Sequence, residues 1–211
     1  MFTRSERVVR SMEELLGGPI VHYHSKSLLK HPNEGGVWNW HQDYGYWYKD
    51  YFLSPHMGTA YLAIDAQNSK LNNGCLKLLR GSQELGRIEH WSKGDQQGAD
   101  LERVALAKQK FEEVEVDLKP GDCVFFSALV LHSSQGNMSN LRRLALASCY
   151  TLESNQQYKD PYVPCYPCEA VCDSMLLETA SSKGPVMTTA AEKVMLEPKL
   201  GVEKARKADQ N

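Results

Sequence analysis

Short strand-like runs separated by Gly, Pro and Asn turns constrain this chain more than any other feature. Val114-Glu115-Val116-Asp117-Leu118 alternates apolar and polar side chains, the period of a strand with one buried face. Gly58–Asp65, Cys75–Leu79, Cys123–Phe126, Leu129–His132 and Leu144–Thr151 are apolar runs of strand length. Asn72-Asn73-Gly74 and Lys119-Pro120-Gly121-Asp122 are turn sequences between them, and Pro19–Leu29 also reads as extended. Chains built this way pack as antiparallel sandwiches or barrels, so a mainly β fold is expected.

Helical spacing is confined to the ends. Val8, Val9, Met12, Leu15 and Leu16 recur with helical period before Gly17-Gly18, which predicts a short N-terminal helix within residues 1–18. The β domain is expected over residues 19–156. Residues 157–211 read as a C-terminal extension, helical or partly disordered over 188–208, where Pro198 and Gly201 interrupt the pattern. The polar span from Gly81 to Gln109 reads as a lid or an irregular loop with a short helix.

Charge and cysteine usage narrow the partners. A net charge of -2 with no long basic run argues against nucleic acid. No apolar run is long enough to cross a bilayer, and the charged start lacks the apolar stretch of a signal peptide. No membrane partner and a cytoplasmic location are therefore expected; oligomeric state has no signal here. Cys75, Cys123 and Cys149 sit in apolar stretches as buried thiols do, whereas Cys165, Cys168 and Cys172 look like half a zinc site without its second pair.

The chemistry concentrates at Trp40-His41-Gln42-Asp43. On extended chain, residues i and i+2 point to one side, so His41 and Asp43 can offer an imidazole and a carboxylate to a single point. A second imidazole would complete the two-histidine, one-carboxylate set that leaves open positions on a non-haem Fe(II). His132, after the apolar run Phe125–Leu131, is the candidate. His22 and His24 share a face but have no carboxylate beside them, and His31, His56 and His90 sit in polar surroundings where a hydrogen-bonded or solvated ring is expected. An arginine on the strand after His132 can pair bidentately with an incoming carboxylate.

These blocks come in a familiar order. His41-Gln42-Asp43, Asn72-Asn73-Gly74-Cys75-Leu76, Arg80-Gly81-Ser82, Lys119-Pro120-Gly121-Asp122, then His132, Ser134, Asn137 and Arg142-Arg143 together resemble the phytanoyl-CoA dioxygenase family from about Pro19 to Thr151. Tyr23-His24-Ser25-Lys26 and Trp47 are similar to its ectoine-hydroxylase branch. The resemblance implies a double-stranded β-helix (jelly-roll), Fe(II) on His41, Asp43 and His132, and 2-oxoglutarate as co-substrate. It also implies O2-dependent hydroxylation of a small or medium organic substrate, with succinate and CO2 as co-products. By the same resemblance, Ser134 and Arg143 would hold the distal carboxylate of 2-oxoglutarate, and Gln42 would lie near its metal-chelating end. Arg142 competes with Arg143; strand alternation favours Arg143, whose same-face neighbours Ala145, Ala147 and Cys149 are small, while Leu144 and Leu146 beside Arg142 read as core. Tyr61 matches an aromatic lining position, and the belt Trp38, Trp40, Tyr44, Tyr46, Trp47 and Tyr48 is expected to wall a pocket at least as readily as it packs. Gln83 stands where the family often has histidine, and fewer residues precede His41 than the family usually carries. The competing expectation is a non-catalytic jelly-roll that binds metal and 2-oxoglutarate.

Overall fold

The computed structural model describes residues 2–181 apart from 34–35, 94–95 and 160–162. The stretch 188–208 lies outside the described residues. In chain order the regular elements are α1 (Glu6–Leu16), β1 (Ile20–Lys30), β2 (Trp38–His41), α2 (Asp43–Trp47), β3 (Met57–Ala63), β4 (Leu76–Leu79), β5 (His90–Lys93) and β6 (Gln96–Ala99). They continue with α3 (Leu101–Lys110), β7 (Glu113–Val116), β8 (Cys123–Ser127), β9 (His132–Ser134), β10 (Arg143–Leu152), β11 (Tyr166–Pro167) and α4 (Asp173–Ser181).

Two antiparallel sheets make the jelly-roll, one of five strands in the order β11-β1-β10-β3-β8 and one of four in the order β2-β9-β4-β7. Their inner faces meet through Tyr61, Leu76, Ala145 and Ala147, with Leu28, Leu78, Val116, Val124 and Phe126 around them. Alternation explains the partition on β10. Arg143, Ala145, Ala147 and Cys149 are buried, whereas Leu144 and Leu146 are only half-buried. The leucines read as core thus sit on the other side, and the small residues leave room between the sheets.

The N-terminal helix forms as its spacing predicts and ends at Gly17, whose φ of 83° is left-handed and whose N–H bonds Glu13 O. Its buried face of Val8, Val9 and Met12 packs on Ile20, Ala60 and Tyr150, the outer face of the larger sheet. Each fully buried side chain of this kind contributes about 1.5–3 kcal/mol. The helix is therefore part of the sandwich rather than a separate segment. At the other end, β11 pairs with β1 and the compact unit runs to Cys172, beyond the boundary expected at 156. Helix α4 belongs to a second unit beginning at Asp173.

The polar span 81–109 holds more regular structure than expected. A 3-10 turn at Ser82–Leu85 is followed by the β5–β6 hairpin and the ten-residue α3. Asp100 caps α3 by accepting from Arg103 N at 2.9 Å. Only Val104 and Ala107 of α3 are buried, so its apolar stripe is too thin to stand out in sequence. They join Leu79, Ile88, Ala99 and Leu131 in one cluster.

Candidate metal centre

Strand pairing brings the distant residues together. In the antiparallel register of β2 and β9, His41 lies directly opposite His132, and their ring centroids are 4.0 Å apart. Gln42 is extended (φ -110°, ψ 135°), so Asp43, the first residue of α2, turns to the same side as His41. Ligand atoms of His41, Asp43 and His132 all lie within 4.8 Å of one another, and this is the cluster of His, Cys, Asp or Glu close enough to share a metal among the described residues. His132 opens β9 rather than ending a strand over 129–132, because a turn with Val130 N on Ser127 O separates β8 from it.

Each ligand is fixed from behind. His41 Nδ1 lies 2.7 Å from Asn39 O and His132 Nδ1 lies 3.0 Å from Val130 O. A carbonyl only accepts, so Nδ1 carries the proton and the Nε2 lone pair faces the shared point. Thr59 donates its hydroxyl to Asp43 Oδ2 at 2.8 Å, which leaves Oδ1, 3.8 Å from His132 Nε2, turned inward. Burial, with His132 beside it, brings the His41 pKa down to about 3 and keeps the ring neutral. Burial works to raise the Asp43 pKa, but the imidazoles of His132 and His41, Lys26 and the Thr59 bond outweigh it, so the carboxylate is held ionised. Two imidazoles held through Nδ1 on carbonyls and one carboxylate are a donor set that fits Fe(II). His90 uses the same Nδ1-to-carbonyl device but accepts Gln42 N–H on Nε2, so it is a structural ring.

A cleft of about 590 Å³, counted out to its mouth, opens on the three ligands. Arg143, Ser134 and Tyr61 line it. Arg143 is 1% exposed; its guanidinium donates to Gly74 O, and its Nε is buried without a partner. That donor fits an incoming carboxylate. Arg142 points out to Asp65 on the surface, whereas Arg143 lines the cleft. Lys30, which the sequence does not single out, donates to Ser134 Oγ at 2.8 Å. Burial and the neighbouring Arg143 bring its pKa down to about 7.

Two expectations need correction. Gln42 is fully buried and its amide is spent elsewhere, donating to Gly86 O and Leu129 O and accepting from Ile88 N. Alternation turns it away from His41 and Asp43, so it anchors the 86–88 segment instead of meeting a co-substrate. Of the aromatic belt only Trp38 lines the cleft. Tyr44 and Trp47 pack with Tyr23 and Phe52, and Trp40 packs on the α3 cluster. Thr59, like Lys30, carries no signal in the sequence, since threonine in a strand is ordinary and its partner lies on another element.

A family model described as phytanoyl-CoA dioxygenase (PhyH) matches residues 1–145. The chain is 29% identical to an L-proline trans-4-hydroxylase of Streptomyces griseoviridis over 168 residues, 72% of this chain and 62% of that protein. It is 28% identical to a 2-aminoethylphosphonate dioxygenase of uncultured bacterium HF130_AEPn_1 over 161 residues, 76% of this chain and 57% of that one. A crystal structure of EctD from S. alaskensis with 2-oxoglutarate and 5-hydroxyectoine superposes with a TM-score of 0.69 at 18% identity, covering 81% of this chain and 62% of that one. The chain thus spans about 62% or less of the length of these relatives.

Proposed function

The chain belongs to the phytanoyl-CoA dioxygenase family, and from that membership we propose that it is an Fe(II)- and 2-oxoglutarate-dependent hydroxylase of a small organic molecule. The carrying observation is the buried His41–Asp43–His132 cluster, with both Nδ1 atoms fixed on carbonyls and the inner donor atoms facing one point. Iron(II) there would supply open coordination positions for 2-oxoglutarate and O2, and with them the oxidising power to hydroxylate a C–H bond while succinate and CO2 are released.

The protein's own part is to hold and orient. His41, Asp43 and His132 would hold the metal, and Thr59 fixes which carboxylate oxygen Asp43 presents. Arg143 and Ser134 would take the distal carboxylate of 2-oxoglutarate, which places its other end at the metal. Phe126, Leu76 and Leu28 line the cleft and give it an apolar wall. Exposed Lys26 and half-exposed Trp38 stand on its lining, where a substrate would enter. The names of two relatives point to small zwitterions as substrates.

Iron-loaded protein supplied with 2-oxoglutarate and O2 is expected to form succinate across a panel of amino acids and small amines or acids, with product mass raised by one oxygen. Binding of iron and 2-oxoglutarate with neither succinate nor O2 uptake would instead favour the non-catalytic binding protein.

A further inference from the structure

Lys26 and Arg143 both line the cleft as cations, and strand register sets them well apart. Arg143 is the partner of Lys30, whereas Lys26 is the partner of Ala147, four residues back along β1. At the rise of an extended chain that separation is about 13 Å. Ala147 in turn pairs with Tyr61, and the next inner row of the sheet holds Cys149 and Thr59, which bonds Asp43. Lys26 therefore stands towards the metal end of the cleft, where its charge helps to hold Asp43 ionised.

Lys26 is exposed, and no carboxylate pairs with it among the described residues. Asp43 is the carboxylate of the cleft lining, and it is committed to Thr59 and the metal. With Fe(II) and 2-oxoglutarate bound, the positive charges of the metal and Arg143 are matched by Asp43 and the two carboxylates of 2-oxoglutarate. Lys26 then adds a positive charge that nothing on the lining offsets, whichever form Lys30 takes. A cleft with surplus charge of one sign draws the opposite sign. An entering ammonium would find no free carboxylate on this lining and would meet Lys26 as a like charge. Ala147 beside Lys26 is small, and Trp38 on the facing sheet is half exposed, so an apolar body has a flat ring to lie against.

We propose that Lys26 selects the primary substrate by charge: it holds an acidic group, a carboxylate or phosphonate, so the substrates of this cleft are small organic acids in which a free amine is not required. This names the substrate class for the function proposed above and rests on that reading. Lys26 Nζ donates to the anion, which fixes one end of the substrate on β1 and leaves the rest between Trp38 and the metal ligands.

The test titrates cyclopentanecarboxylate, L-proline and pyrrolidine, by calorimetry without O2, into protein saturated with Fe(II) and 2-oxoglutarate. The three share a five-membered ring and differ in charge. Both acids are expected to bind wild type at least about tenfold more tightly than pyrrolidine, the scale of a charge-assisted hydrogen bond. Lys26→Met is expected to weaken both acids by about tenfold and to leave pyrrolidine and 2-oxoglutarate unchanged; Lys26→Glu is expected to reverse the order in favour of pyrrolidine. Acids that bind wild type no better than pyrrolidine, or that keep their affinity in Lys26→Met, overturn the assignment. A loss of 2-oxoglutarate affinity in Lys26→Met that matches the loss for the acids also overturns it, and makes Lys26 a co-substrate residue. Wild type that fails to bind Fe(II) or 2-oxoglutarate at all overturns the functional reading itself, a result the first titrations separate from the others.

Discussion

Thr59 Oγ1 holds one oxygen of Asp43 at 2.8 Å, so the geometry of a metal ligand depends on a hydroxyl from the opposite sheet. Thr59→Val is expected to weaken metal binding by about 10–100-fold, and Thr59→Ser to restore most of it, in a competition titration against a chelator. Gln42 sits between two ligands yet faces away from them. Gln42→Leu strands Ile88 N, Gly86 O and Leu129 O, so urea denaturation should show a loss of at least about 2 kcal/mol. Affinity for 2-oxoglutarate in the folded fraction should stay near wild type, which a direct contact would not allow. His41 and Asp43 were legible in sequence because one extended residue between them fixes their shared side locally. Thr59 and Lys30 were not, because their partners are set by strand register, which alternation alone does not reveal.

Helix α2 carries Asp43 away from the end of β2 and packs so closely that a Cβ on Gly45 would overlap the His90 ring. That ring accepts Gln42 N–H, so displacing it loosens the extended residue between the two ligands. Gly45→Ala is expected to cost about 1–3 kcal/mol by overpacking and to lower metal affinity as well, read by thermal unfolding with and without metal. The strands were the legible elements, since Val114–Leu118 and the apolar runs carry their own period. The β5–β6 hairpin was not, because His90, Ser92, Gln97 and Gly98 give no apolar alternation; its fold comes from packing under α3 and against β2.

Across the whole sandwich, β1 places His22 and His24 largely out of water, and burial brings their pKa values to about 4 and about 3. Both are neutral in the fold but titrate near 6.5 when unfolded, so the unfolded chain binds more protons below that pH. Their contribution is fully present above pH 6.5 and is lost as pH falls towards 4; urea midpoints should drop over that window, and His22→Gln should flatten the drop. The sandwich also shows why the two halves of the site need each other. Residues 38–43 supply two donors, but only the β2–β9 pairing delivers His132 opposite His41, and only β10 brings Arg143 to the same cleft. The central claim is therefore a single metal built from both. Equilibrium Fe(II) binding to the purified chain, measured without O2 on wild type and on His41→Ala, Asp43→Ala and His132→Ala, tests it most directly. One iron per wild-type chain, with affinity falling by at least about a hundredfold in every folded variant, is the predicted result; stoichiometric, unweakened binding in any of the three would contradict it.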